Sequence, residues 1–205
     1  MDRGLMEKMA RKRVLLISGE ITSQDLGDIR LKLINLCEDS SEPVLIIIDS
    51  IGGDLEEVWG FCDTIPMLSN TVIGLVIGKC YSSAFVILQA CDIRLATPNS
   101  IFRPHHLIAF MSYSMYKPDG NVIDNMSRAL IEARRSQKRI EDIIMNRSGQ
   151  RRSVIKKFFI LSDALEARLD VDEVLGAGFI DGRIRSMSEL KSKIKSAKKF
   201  SKHRK

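Results

Sequence analysis

Aromatic side chains make up only 6% of this 205-residue chain, with one Trp, three Tyr and eight Phe. Proteins that grip nucleic acid by base stacking interleave aromatic and basic residues. The one strongly basic segment here contains a single aromatic residue, Phe200. Long apolar runs are missing too. A membrane-spanning helix needs ~20 apolar residues, and the longest candidates, Val44–Ile48 and Val72–Ile77, are strand-sized. The apolar stretch Val14 to Ile17 is too short for the core of a secretory signal and is soon broken by Gly19. Four scattered cysteines (Cys37, Cys62, Cys80, Cys91) form no C-x-x-C pair. They read as small buried hydrophobes in a reducing compartment, not as a disulfide framework or a zinc site. These absences predict a cytoplasmic protein with no membrane partner. Histidine is equally scarce: His105, His106 and His203 are the whole supply.

What is present suits one globular domain. Hydrophobic residues reach 44% and charged residues 28%, and a chain this long can bury a core without staples. The net charge of +6 is uneven. Residues 183–205 hold ten Lys or Arg against one acid, Glu189, whereas residues 1–182 sum to −3. The expected organisation is a short, irregular N-terminal arm over 1–11, a domain over 12–186, and a flexible basic tail over 187–205. An electrostatic tether to nucleic acid or an acidic partner is the alternative role for that tail. The slightly acidic body argues against nucleic-acid binding by the rest.

Hydrophobic periodicity predicts alternating strands and helices. Strands are expected over Val14–Ser18, Val44–Asp49, Val72–Ile77, Ile93–Ala96, Ile101–Arg103 and Phe179–Ile184. Helices are expected from Thr22 or Ser23 to Glu38, from Asp54 to Ser69, from Ser82 to Ala90 and from Val122 to Asn146. The stretch 107–116 is β-prone and ends in a turn at Lys117-Pro118-Asp119-Gly120. Continuous apolar strands imply burial on both faces, as in a parallel sheet covered by helices. The long helix over 122–146 has an apolar stripe interrupted by charge between Ala133 and Ile140, so part of it projects or meets a partner chain.

Three segments could carry chemistry. In IIIDSIGGDLEEV (46–58), Gly52-Gly53 follows a buried strand and precedes a helix. Such a turn is either simply tight or a backbone nest facing an anion. In VIGKCYSSAFVIL (76–88), Ser82 or Ser83 sits where a strand becomes a helix, which suits an N-cap or a nucleophile elbow. In TPNSIFRPHHLIAF (97–110), His105 and His106 supply imidazoles able to take a proton from serine. Packing or surface histidines are the plainer reading.

Taken together with RVLLISGEI and LDVDEVLGAGFID, these segments resemble the Clp protease proteolytic subunit (ClpP) and its Clp-like serine peptidase relatives, over about residues 12–185. The resemblance implies an α/β, crotonase-like fold of repeated β-β-α units with a projecting handle helix, here the helix around 122–146. It implies heptameric rings, single or paired, enclosing a proteolytic chamber. It implies peptide or unfolded-protein substrates and an AAA+ ATPase that feeds them. Residue by residue, it assigns Ser82 as nucleophile, His105 as general base, and the N–H groups of Gly53 and Ser83 as the oxyanion hole. The acid falls on Glu166, with Asp163 as the alternative under a shifted register. Ser83 is an alternative nucleophile and His106 an alternative base. No cofactor or metal is required.

The sequence departs from that family in several places. The arm before Arg13 is shorter, Ile51 replaces a proline before Gly-Gly, Tyr81 and Ser83 flank Ser82, and the span from His105 to Gly149 is longer. Two other functions compete with a serine endopeptidase. One is a non-catalytic structural subunit of a Clp-type complex. The other is a crotonase-type enzyme acting on acyl-CoA, which shares the fold.

Overall fold

A computed structural model describes residues 3–107, 122–165 and 167–200. The expected β-prone stretch beyond Leu107 and the turn at 117–120 lie outside them. Strands β1 (Val14–Ile21), β2 (Val44–Gly53), β3 (Val72–Tyr81), β4 (Ile93–Ala96) and β6 (Gly182–Arg183) pair side by side in that order. Strand β5 (Ile101–Arg103) pairs with β3 beyond the end of β4. Every named pairing is parallel. Helices α1 (Arg3–Arg11), α2 (Ser23–Asp39), α3 (Glu56–Met67), α4 (Ser82–Ala90), α5 (Val122–Ser148), α6 (Arg152–Leu165), α7 (Val171–Gly176) and α8 (Met187–Phe200) complete the chain. This is a mixed α/β fold with a parallel sheet between helices, as the strand–helix alternation predicts.

The alternation of side chains along each strand explains the continuous apolar runs. Val44, Ile46 and Ile48 of β2 point into a large core shared with α2, α3, α4, α5 and α6. Their neighbours Leu45 and Ile47 point to the opposite face, where Ile73, Leu75, Leu95 and Ile184 form a second, smaller core. Helix α8 covers that face with Leu190, Ile194 and Ala197, and the Thr71 hydroxyl donates to the Ala197 carbonyl. The segment expected as a flexible tail is therefore a docked helix through Phe200. Its apolar residues stand at i, i+4 and i+7, one face of a helix, but the lysines between them hide the period. A start signal is legible as well. In Ser186-Met187-Ser188-Glu189, the Glu189 N–H donates to Ser186 Oγ and the Glu189 carboxylate accepts from the Arg185 N–H.

The first residues also differ from expectation. The arm over 3–11 is helical, and Ala10 packs against the main core. Arg13 follows with a positive φ of 58°. Its guanidinium donates to the carbonyls of Leu36, Ser40, Glu42 and Pro43. A cation on the last carbonyls of α2 favours that helix end. The last strand shrinks from the expected 179–184 to Gly182–Arg183, because Phe179 and Ile180 turn into the main core. Strand β3 runs longer than expected, through Gly78 to Tyr81. The Asp49 carboxylate accepts the Lys79 N–H at a register shift, and β5 supplies a pairing partner for 79–81.

A buried charge ties the sheet to the loop before β6. The Arg94 side chain is 4% exposed. It donates to both carboxylate oxygens of Asp181 (3.1 and 2.6 Å) and to Gln89 Oε1 at 2.7 Å. Gln89 Nε2 in turn donates to the Phe179 carbonyl. Burial works to raise the Asp181 pKa, but the Arg94 hydrogen bonds outweigh it and hold the carboxyl below the ordinary 3.8. A depressed carboxyl pKa contributes stability above its unfolded value, and that stability is lost as pH falls through the folded one. Asp181→Asn is expected to lower unfolding free energy by about 2 kcal/mol at neutral pH. That is less than the ~3–5 kcal/mol of a fully buried pair, because Asp181 remains 39% exposed. Urea unfolding measures it, and the gap between wild type and variant should narrow below about pH 4.

Candidate active site

Three chain segments meet because β3 has two neighbours at its carboxyl end. On one side, Ser50 of β2 pairs with Cys80, so continuing two and three residues brings Gly52 level with Ser82 and Gly53 level with Ser83. On the other side, Tyr81 pairs with Arg103 of β5. Ser82 and Pro104 are the next residues along, followed by His105. Carboxyl ends of parallel strands are where ligands bind in open α/β sheets.

Ser82 carries the turn from β3 into α4 with φ of 51°, a positive value in a non-glycine residue. The left-handed conformation costs an L-residue roughly 1–2 kcal/mol. It turns the chain sharply enough to start a helix at the strand end, the geometry of a nucleophile elbow. Gly52 makes room for it: a Cβ on Gly52 would lie 2.6 Å from Ser82 Cβ and 2.8 Å from the Tyr81 carbonyl oxygen. A Cβ on Gly53 would lie 2.1 Å from the Ile21 carbonyl oxygen. Both positions require glycine because neighbouring backbone stands where a side chain would go.

Ser82, Ser83, Gly53, His105 and His106 line one cavity of about 390 Å³, with Phe159, Ile140 and Ile144 on its apolar side. The structure thus brings together the nucleophile, base and oxyanion residues expected from the sequence, with both alternatives. His105 Nδ1 lies 2.6 Å from the His106 carbonyl oxygen. A carbonyl only accepts, so Nδ1 carries the proton and Nε2 of the neutral ring bears the lone pair. The His106 ring meets Phe159 edge-on at 5.2 Å between centroids. No hydrogen bond joins Ser82 to His105 among the described residues. Catalytic hydrogen bonds are often open in unliganded sites and tighten around substrate.

The histidine segment is anchored from α5. Gln137 Oε1 accepts the Leu107 N–H at 2.8 Å, and Gln137 Nε2 donates to Glu141. Glu141, 3% exposed, also takes a 2.7 Å bond from Arg152 of α6. These positioning residues were missed by the sequence reading. Nothing in a helix pattern marks a polar side chain that reaches another segment's backbone. Of the expected acids, Glu166 lies outside the described residues, and Asp163 falls in α6 without a described side chain.

The four cysteines offer no competing nucleophile. Burial pushes the Cys37 thiol up to about 11 and the Cys62 thiol to about 12, and pushes Cys80 and Cys91 up as well. None supplies appreciable thiolate at neutral pH.

Comparison with known proteins gives the chain a family. The family model for Clp protease matches residues 3–186. The chain is 27% identical over 185 residues to ATP-dependent Clp protease proteolytic subunit 1 of Chlamydia abortus, covering 89% of this chain and 92% of that one. It is 25% identical over 193 residues to the ATP-dependent Clp protease proteolytic subunit of Ligilactobacillus salivarius, covering 91% and 90%. In fold it is similar to a mutant ClpP1 from Listeria monocytogenes, with a TM-score of 0.74 at 24% identity, covering 91% of this chain and 99% of that one. With sheet, helices and family match coinciding over nearly the whole chain, this protein belongs to the Clp protease family.

Proposed function

We propose that the chain is a serine endopeptidase using Ser82 as nucleophile and His105 as general base. The observation that carries this reading is the positive-φ turn at Ser82, facing the same cavity as a His105 whose Nδ1 is the protonated nitrogen. Ser82 Oγ attacks the peptide carbonyl while His105 Nε2 takes its proton. The N–H groups of Gly53 and Ser83 hold the tetrahedral oxyanion, each worth ~10²-fold or more in rate. His105 then protonates the departing amine, and water cleaves the acyl-enzyme by the same route in reverse.

Glu166 is carried as the acid that orients His105, which requires it to take over the Nδ1 proton from the His106 carbonyl in the working site. Support comes from the family spacing alone: Glu166 stands three residues before Leu169, the place the resemblance gives the acid, and Asp163 takes that role if the register is shifted.

The same reading extends to assembly: a ring homo-oligomer, heptameric or doubly heptameric, that encloses the sites, takes peptides or unfolded chains, and is fed by an AAA+ ATPase. Helix α5 supports it. Its second half is packed through Ile140 and Ile144, while Met126, Leu130 and Ile131 in its first half stay exposed on a single chain. Apolar side chains left out in a row are the usual mark of a missing partner.

Incubation with a fluorophosphonate, read by intact-mass spectrometry, tests the chemistry. The Ser82 Oγ–P bond forms, fluoride leaves and His105 accepts the proton. Wild type should gain one adduct on Ser82, Ser82→Ala none, and His105→Ala should react about 10²–10⁴-fold more slowly. An assembled ring without any adduct would favour the non-catalytic subunit.

The acid has its own test. Glu166→Gln should slow labelling by at least ~10²-fold, because the imidazole loses its orienting charge, whereas Asp163→Asn should stay within about twofold of wild type. The reverse order would move the acid to Asp163.

A further inference from the structure

The Gly53 N–H already has an acceptor. It donates to the side-chain hydroxyl of Ser83 at 2.8 Å. Ser83 is 3% exposed and lines the cavity beside Ser82. The hydroxyl therefore stands where an acceptor oxygen for Gly53 must go. It is held there by one hydrogen bond and one rotatable bond, and no acceptor for its own proton exists among the described residues. Ser83 lies in the first turn of α4, where its backbone N–H has no partner within the helix. One of the two backbone donors is thus closed by an internal ligand, and the other is open.

We propose that the Ser83 hydroxyl is a built-in occupant of the oxyanion hole, which reacting oxygen must displace. This rests on the reading of Ser82 as nucleophile and Gly53 as oxyanion donor. A neutral carbonyl or phosphoryl oxygen competes with a hydroxyl on even terms for one N–H, so ground-state binding gains nothing from Gly53. An oxygen that has taken on negative charge forms a bond roughly twice as strong and turns the hydroxyl out. The Gly53 contact is then reserved for the transition state, where binding accelerates reaction without tightening the substrate complex.

Fluorophosphonate labelling of the full-length protein at several probe concentrations separates initial binding, KI, from the covalent step, kinact. In Ser83→Ala the Gly53 N–H is free in every state. KI is expected to fall about five- to tenfold, the worth of one hydrogen bond, while kinact changes less than about twofold. Ser83→Thr retains a hydroxyl and should gain less than half of that improvement. Circular dichroism and size-exclusion profiles matching wild type exclude a folding effect. An unchanged KI in Ser83→Ala, or a slower covalent step, overturns the proposal while Ser82 is still labelled. Absence of any adduct on Ser82 in both proteins overturns the nucleophile reading, and the proposal with it. A silent wild type beside a reactive Ser83→Ala also overturns it, because the hydroxyl would then obstruct the transition state as well as the ground state.

Discussion

The structure depends on the pairing of one strand, β3, with β2 along one edge and with β4 and then β5 along the other. Parallel pairing leaves no freedom in how far each strand end reaches. Once Cys80 is level with Ser50 and Tyr81 with Arg103, the three junctions that follow must converge. The register shift beside Asp49 makes this possible: Ile48 pairs with Val76 but Ser50 with Cys80, so β3 uses extra residues there and Gly52, not Asp54, comes level with Ser82. A fold with β3 stopping at Ile77 would place the same residues in the same order but would not bring them to one point.

Convergence has a cost that the rest of the molecule offsets. Ser82 is held in a left-handed conformation, and two glycines stand where backbone passes too close for any side chain. Such strain persists only where surrounding structure over-determines it. Here the surroundings are two cores, one on each face of the sheet, and the Arg94–Asp181–Gln89 cluster at the sheet's far edge. Burial of a single large side chain such as Leu190 contributes ~1.5–3 kcal/mol, enough to outweigh one strained residue. No disulfide takes part; the cysteines are free, and three of the four are buried.

Much of this was legible in the residues. Apolar runs at 44–48 and 72–77 pointed to a parallel sheet buried on both faces, and the Gly-Gly, Ser-Ser and His-His junctions stood out against a chain poor in histidine. Two things were not legible, for different reasons. The continuation of β3 through 79–81 is decided by a partner strand at 101–103, which no local propensity encodes. The docking of α8 was masked by composition: ten cationic residues drew attention to charge, although Leu190, Ile194 and Ala197 keep helical spacing and Ser186 opens the helix. The Gly53–Ser83 bond belongs to a third kind. Both residues were singled out as backbone donors, but a serine's side chain can accept as readily as its backbone donates, and only geometry tells which it does.

The two ends of α4 are treated unequally. At its C-terminus, Arg147 of α5 donates to the carbonyls of Gln89, Cys91 and Asp92, placing a cation on the negative pole of the helix. At its N-terminus, the residue in the capping position is Tyr81, which provides no side-chain acceptor, and the first turn holds no acid. A Ser, Thr, Asp or Asn cap would stabilise this helix by ~1 kcal/mol, and its absence leaves the positive pole uncompensated. The backbone dipoles of α4 therefore act as a one-sided source of field. That field enters the cavity beside Ser82 without any charged side chain having to be desolvated there.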